Sequence, residues 1–493
     1  MTNKLSFNGS FDLDFTLSEF KDYLLKTTDL VISHYEKKNK LTVSPLTQGD
    51  SIKLSFREEL PENGMPVESL LREVENKVVT CSLRNIDPTV FAYVMSGGNH
   101  ISIGADLIAS ALNQNVAKWH LAPSITEIEQ TIIRWTSNFI GYSQEPSGAI
   151  VGGGSAANLT ALTVARNIFF ESEDIRKKGL AGRAPPTIYA SEETHNCIVK
   201  SIELLGIGSD YLRKIPTDSN FRMNIDALEK KISEDKSLGF RPFCIVGNAG
   251  TVNTGAIDPL NEIATVADSF GLWFHIDGCY GGLAAGLKEK AGLYEGLHRA
   301  NSIALDFHKW LYQPFEIGCT LIKDASALKK AYRAPAVYLN TNKHDSARFD
   351  AADHHFDLSR SAKALKVWMS FKAYGANRFR SMIRKDIDMT KYLNRLLQTN
   401  DNFEVVATGP LAIICFRFLG PGKQSKQVID QQNTSLVSAL EEDGRIFITG
   451  SQLHKRPILR ACVINHRVQK NDINHLVKVI EEIGSQIWHN SRK

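Results

Sequence analysis

Apolar and polar positions divide this chain into three stretches of different rhythm. Near the start, in FTLSEFKDYLLKTTDLVISHYEKK, Phe15, Phe20, Leu24, Leu25, Leu30 and Val31 recur at mostly helical spacing. That pattern predicts an amphipathic helix, which either faces a core or binds a partner. From about residue 118 the rhythm becomes short apolar runs alternating with helical stretches. The runs predict strands at Ala149–Val151, Thr187–Ala190, Phe243–Gly247, Leu272–Ile276, Ser302–Asp306 and Gly318–Ile322. Strands alternating with helices predict an α/β fold, a mainly parallel sheet covered by helices on both faces. After a long helix around Ala362–Ala373, LAIICFRFL (Leu411–Leu419) and ILRACVI (Ile458–Ile464) predict a small α+β unit. The expected division is therefore an N-terminal helical segment (1–117), a large α/β domain (118–388) and a small α+β domain (389–493).

Composition narrows the function. With 493 residues and 43% hydrophobic content, a chain built from units of roughly 150 residues has material for two or three domains. Lys and Arg number 58 against 54 acids, a net charge of +4, so nothing calls for nucleic acid or an anionic membrane. The opening MTNKLSFNGSFDLDF carries acids where a signal peptide needs an apolar run, and no apolar run approaches a membrane span. Seven scattered cysteines without a C-x-x-C pair point to a reducing cytoplasm, with no disulfide framework and no zinc site.

Ligands of open α/β sheets gather at the carboxyl ends of strands, and the chemistry-bearing residues stand there. Asp277 ends the apolar run LWFHID, and Lys309 follows 32 positions later in SIALDFHKW. An acid and a lysine at successive strand ends suit pyridoxal 5'-phosphate: the amine condenses with the aldehyde, and the carboxylate keeps the pyridine nitrogen protonated. A strand also runs into Gly152-Gly153-Gly154-Ser155 and then a helix, an arrangement whose free N–H groups favour a phosphate dianion. This loop lacks the Lys of a P-loop and the G-x-G-x-x-G of a dinucleotide fold. His195 opens a helix after another strand end; it either stacks on the cofactor ring or merely satisfies backbone at the helix start. In GNAGTVNTGAIDPL, Thr251 and Asn253 offer short polar groups towards the cofactor. The stretch KHDSARFDAADHH (Lys343–His355) gathers Asp345, Asp350 and Asp353 with His344, His354 and His355, but its loose spacing suits a polar loop rather than a metal site.

In order and spacing, VGGGSAANLTALTVAR, His195 with KSIELLGIG, GNAGTVNTGAIDPL, WFHIDGCYGG, SIALDFHKWL and LSRSAKALKVWMSFKAYG resemble the group II pyridoxal-phosphate-dependent amino-acid decarboxylases. The resemblance runs from about Pro88 to Val468. It implies an aspartate-aminotransferase-type fold (fold type I), a homodimer with shared active sites, and an L-amino-acid substrate that yields carbon dioxide and an amine. Carried over by position, Lys309 resembles the cofactor-bearing lysine, Asp277 the pyridinium partner and His195 the stacking histidine. Gly154 and Ser155 look like phosphate donors, and His308 like a phosphate-side neighbour. Cys279 stands where the family usually has Ala, against the opposite ring face. Asp306 cannot donate to phosphate while ionised and is left out of the expected site.

One departure bears on the product. The family's loop from the neighbouring subunit usually bears a tyrosine that protonates the substrate carbon after carbon dioxide leaves. Here the matching stretch, about Leu339–Asp357, has no tyrosine; Tyr338 lies just before it, Phe349 is its aromatic near the expected place, and His354 and His355 offer alternative acids. By resemblance, Phe there accompanies oxygen-consuming aldehyde synthases. That reading, a transaminase or retro-aldol lyase, and a non-catalytic paralogue are the alternatives. Arg460 is available to clamp a carboxylate as a transaminase would, or to form a structural ion pair. Phe91, Tyr93, Trp119 and His120 offer either aromatic surface to the substrate or core packing.

Overall fold

A computed structural model of the chain describes residues 13–37, 42–44, 49–334, 348–422 and 424–490. Seven strands form the large sheet: β1 (Ser147–Val151), β2 (Pro186–Ser191), β3 (Leu212–Ile215), β4 (Arg241–Asn248), β5 (Trp273–Asp277), β6 (Ser302–Asp306) and β7 (Gly318–Ile322). Their order is β1-β7-β6-β5-β4-β2-β3. The run β6-β5-β4-β2-β3 is parallel, and β7 is antiparallel to both its neighbours, β1 and β6. All six expected strands are present. The seventh, β3, lies at the sheet edge with only its end residues Leu212 and Ile215 buried, so its LRKI has too little apolar content to read as a strand.

The strands are apolar along their whole length because helices cover both faces. On one side Ile150, Ile245, Ile276, Ile303 and Leu321 belong to a core completed by the helices Pro123–Ile140 and Leu260–Phe270; on the other, Ile188, Val246 and Phe243 meet the helices Gly154–Phe169 and Asn196–Leu204. A second, antiparallel sheet has the order β10-β11-β9-β8, with β8 (Phe403–Thr408), β9 (Ile413–Phe418), β10 (Thr449–Leu453) and β11 (Arg456–Cys462). The helices Lys426–Asp443 and Lys470–Asn490 pack on it. The two sheets are bridged by the helix Ala364–Gln398, longer than its sequence signal and broken at Gly375, whose φ of 72° is one that glycine adopts without strain.

The N-terminal helix, Leu17–Glu36, starts at a capping box between Thr16 and Glu19. It buries none of its residues, and Leu17, Leu25 and Ile32 are respectively 87%, 57% and 51% exposed. Among the described residues its apolar face meets no core, so of the two expectations the core-facing one is not met there. Among the described residues no helix is long and apolar enough to cross a membrane.

Candidate active site

The carboxyl ends of β1, β4, β5 and β6 converge on a cavity of about 540 Å³. Backbone register sets their relative places. Asn248 at the end of β4 lies opposite Asp277 at the end of β5, and Asp277 lies opposite Ala304 in β6. The Asp277 carboxylate accepts the backbone N–H of Cys279 at 3.1 Å, which orients it beside the cavity. Strand β6 then ends in a short helical turn, Phe307–Trp310, that turns Lys309 inward.

Lys309 Nζ lies 3.0 Å from Asp306 Oδ2. Burial alone lowers the affinity of this amine for a proton, but the charges of Asp306 and Asp277 outweigh it and hold the group above the ordinary lysine range. Asp306 is therefore a cavity residue, and its omission on sequence grounds is corrected. The reasoning that an ionised acid cannot donate to phosphate overlooked that it sits three residues before the lysine, within pairing distance. His195 Nδ1 accepts the N–H of Cys197 at 3.1 Å. Its proton therefore rests on Nε2, and burial holds the imidazole below its ordinary pKa, so the ring is neutral at pH 7.

Three glycines shape the end of the cavity next to β1. A Cβ on Gly154 would lie 2.6 Å from Asp306 Oδ2 and 2.7 Å from Cys279 Sγ, and Gly153 has φ 104°. No side chain caps the helix that begins at Gly154, so its first N–H groups face the cavity end. Two buried polar atoms there, Asp306 Oδ1 and His308 Nδ1, have no hydrogen-bond partner among the described residues. The phosphate of pyridoxal phosphate would find uncapped N–H groups and space only glycine leaves, while its aldehyde would find Lys309 and its pyridine nitrogen Asp277. The residues present fit that cofactor.

Of the expected residues, Gly154, Ser155, His195, Asp277, Cys279, His308 and Lys309 all line the cavity. Thr251 does not, which corrects its expected contact with the cofactor. Its hydroxyl pairs with that of Thr254 at 3.0 Å and accepts the N–H of Ala256 at 3.1 Å, closing its own turn. Asn253 instead donates to the Gln452 carbonyl. Tyr93 lines the cavity, whereas Phe91 is fully buried in the core of the small sheet and Trp119 lies beneath Arg348. Among the described residues Arg460 has no ion-pair partner; it donates to the carbonyls of Tyr93, Val252 and Asn253 and lines the cavity. Sequence reasoning missed Asn248, Phe315 and Glu316, all cavity residues. Asn248 ends an apolar strand as Asp277 does, and that signal was available. Tyr338, His344, Asp345 and the stretch to residue 347 lie outside the described residues. Phe349 stacks on His354 with ring centroids 4.2 Å apart, and neither lines this chain's cavity.

A mainly parallel sheet carrying lysine, acid and an uncapped helix start at its carboxyl edge is the arrangement of a fold type I pyridoxal-phosphate enzyme. The comparisons make the class specific. The chain matches the pyridoxal-dependent decarboxylase conserved domain over residues 50–419. It is 31% identical over 480 residues to an aromatic-L-amino-acid decarboxylase of Bacillus atrophaeus, covering 97% of this chain and 98% of that one. It is 25% identical to a phenylacetaldehyde synthase of Arabidopsis thaliana, covering 96% and 97% of the two chains. The crystal structure of Oryza sativa TDC with PLP and tryptamine superposes with a TM-score of 0.91 at 25% identity, covering 97% of this chain and 100% of that one. The chain belongs to the pyridoxal-dependent decarboxylases, and its reaction class is the pyridoxal-phosphate-dependent decarboxylation of an amino acid.

Proposed function

We propose that the cavity between Lys309 and Gly154 converts an L-amino acid to its amine and carbon dioxide, with Lys309 as the residue that carries the cofactor. The observation that carries this reading is the placement of Lys309, Asp277 and the uncapped helix start around one cavity. When bound, pyridoxal phosphate supplies a ring that accepts the electrons left by the departing carboxylate. Asp277 would hold the pyridine nitrogen, His195 would stack on the ring and Cys279 would support the opposite face. Gly154, Ser155 and the helix N–H groups would hold the phosphate, with His308 beside it.

The chain's own groups prepare the chemistry. Lys309 must lose its proton before it can act as a nucleophile, and until then Asp306 Oδ2, 3.0 Å away, would hold the amine in the cavity. His195, neutral with its proton on Nε2, can donate to a substrate carboxylate without adding a full positive charge. Arg460 offers a cation at the wall formed with Tyr93, suited to orienting an anionic substrate before that charge is lost.

The loop histidines fit poorly as proton donors within this chain. His355 accepts the N–H of Asp357, and burial pushes its pKa down to about 3. In this reading the donor is a group that a second copy would bring to the cavity. A homodimer is part of this proposal, supported by the exposed apolar face of Leu17–Glu36. So is the three-part division at 117 and 388, supported by the separate sheets at 147–322 and 403–462. A cytoplasmic location is supported by seven free cysteines, six of them buried. The Bacillus relative favours an aromatic substrate.

Phe349 and the phenylacetaldehyde synthase relative favour a second reading, oxygen-consuming conversion to an aldehyde. One vessel separates the two. With each common L-amino acid, carbon dioxide release is followed together with dissolved oxygen and ammonia. The proposal expects carbon dioxide and amine in equal amounts with no oxygen uptake; stoichiometric oxygen loss with ammonia replaces it by the second reading.

A further inference from the structure

Asn248 is placed to do more than line a wall. Its side chain is buried at the end of β4, and every hydrogen-bonding group it has is engaged. Nδ2 donates one proton to Asp258 Oδ2 at 2.8 Å and the other to Ser191 Oγ at 3.2 Å. Oδ1 accepts the Thr194 hydroxyl at 3.3 Å. The orientation of this amide is not ambiguous. Turning it over would set its oxygen against the Asp258 carboxylate and its nitrogen against the donating Thr194 hydroxyl.

Asp258 is itself immobilised. It is fully buried, accepts the Met223 N–H at 2.7 Å and the Asn248 N–H at 2.8 Å, and returns its own N–H to the Asn248 carbonyl. A rigid anchor therefore holds one end of the Asn248 amide. The amide then grips both sides of the turn that leaves β2, Ser191 through Nδ2 and Thr194 through Oδ1, since Ser191 is the last residue of that strand and Thr194 immediately precedes His195. The turn is closed further by the Thr194 N–H to the Ser191 carbonyl at 3.0 Å. His195 then begins the helix Asn196–Leu204, with Nδ1 tied to Cys197 N.

We propose that Asn248 is a positioning residue for His195: its amide, clamped by Asp258, fixes the Ser191–Thr194 turn and thereby the plane in which the imidazole meets the cofactor. This rests on the decarboxylase reading given above. Only asparagine supplies a donor to Asp258 and an acceptor to Thr194 from one planar group at this length. An aspartate would bring two carboxylates into contact, and a serine would fall short of the turn.

The test is a double-mutant cycle on cofactor-loaded protein with two readouts, kcat/KM for carbon dioxide release and the cofactor dissociation constant from titration of the ligand-free protein. Asn248→Ala is expected to lower kcat/KM about tenfold and to weaken cofactor binding several-fold, as small misplacements of a positioned group do. In a His195→Ala background the same change is expected to cost less than about twofold in both. Thr194→Val, which removes only the hydroxyl, is expected to show the same dependence at about threefold, and it carries the cycle if Asn248→Ala does not fold. A purely structural asparagine would cost the same in both backgrounds, and that result overturns the inference. A wild-type protein that binds cofactor but releases no carbon dioxide sinks the decarboxylase reading instead, while the binding arm of the cycle still decides the role of Asn248.

Discussion

Two regions flank the reaction space, and they are built on opposite principles. At the sheet rim, Asn248, Asp277, Asp306 and Lys309 are set by strand register and by short turns, so their positions follow from backbone pairing within a buried sheet. The segment 348–360 has no such lattice. It lies across residues 115–119 through a few contacts: Trp119 N to Asp350 Oδ1 at 2.9 Å, Ala352 N to the Ala117 carbonyl at 2.9 Å, and Val116 N to the Arg360 carbonyl at 2.8 Å. It is anchored at depth by Arg360, whose guanidinium forms a two-pronged pair with Glu129 at 3.0 and 3.1 Å and donates to the Ile150 carbonyl, and Ala351 and His355 are buried as well. The rim is fixed by the sheet, whatever the fate of the substrate. Apart from Arg360, whose guanidinium reaches β1 at Ile150, the segment can vary in sequence with little effect on the sheet, which leaves room there for relatives with different products to diverge.

The sharpest break of the comparison is at the rim. Lys309→Ala is expected to lower carbon dioxide release by roughly 10⁴-fold or more, as loss of a covalent nucleophile does. It should also abolish the visible absorbance that a lysine-bound cofactor gives. Retention of an unaltered band would sink the assignment. Far-ultraviolet circular dichroism should be unchanged, because the lysine is not part of any core cluster.

The anchor of the segment is tested next. Glu129 and Arg360 have side chains only 3% and 5% exposed. Burial raises the Glu129 pKa while Arg360 opposes it. Arg360→Met leaves a buried acid without its partner, so the loss in denaturant stability should be about 3–5 kcal/mol. Pairing it with Glu129→Gln should recover part of that loss. If the single variant costs less than about 1 kcal/mol, the segment is held by its surface contacts and the contrast with the rim is one of degree.

How much of this was legible beforehand follows from the same contrast. Asp277 and Lys309 could be read because an apolar strand ending in a polar residue is a local signal. Thr251 was misread because its hydroxyl closes a turn, and turn chemistry competes locally with ligand contact. Asp306 was discarded on charge alone, with no view of Lys309 folding back towards it. Glu316 reaches the cavity beside Gly152, 164 residues away in sequence (316 − 152), a proximity only the antiparallel β1–β7 pairing creates. The helix Leu17–Glu36 carried an amphipathic pattern, but periodicity cannot say whether the apolar face meets this chain or another.

A third prediction sharpens the account of the rim by titrating what lies behind it. Trp273 Nε1 can only donate, and it reaches Ser302 Oγ at 2.8 Å, leaving the Ser302 proton for His275 Nδ1, also at 2.8 Å. His275 Nε2 then donates to Asn158 Oδ1, and Asn158 Nδ2 donates to the Gly154 carbonyl. His275 must be neutral for this chain to hold, and burial pushes its pKa down to about 4 from 6.5. The unfolded chain therefore binds the proton first as pH falls, so stability is full above pH 6.5 and declines towards pH 4. The decline from this one group is roughly 3 kcal/mol at about 1.4 kcal/mol per pKa unit. Asp258, raised by burial to about 6, takes up a proton when folded and offsets part of it. Comparison with His275→Gln isolates the histidine: between pH 7 and 4.5 the variant should lose less stability than the wild type, and parallel curves would remove His275 as the cause.

The smallest effect is expected at Cys279, where rim and cofactor face meet. Burial pushes this thiol well above its ordinary pKa, with Asp277 and Asp306 adding to the rise, so it is a neutral, compact wall rather than a nucleophile. Its Sγ sits 3.4 Å from the Asn158 amide that also contacts Cys197 Sγ at 3.4 Å. Cys279→Ala removes one sulfur from that cluster and leaves the backbone N–H to Asp277 intact. Cofactor affinity should fall by no more than about threefold, and stability by about 1 kcal/mol, the cost of a cavity the size of one small group. A tenfold fall in kcat with cofactor affinity preserved would instead mean that the sulfur touches the reacting substrate. The rim would then tune the outcome of the reaction as well as hold its cofactor, and the division of labour between the two regions would fail at that residue.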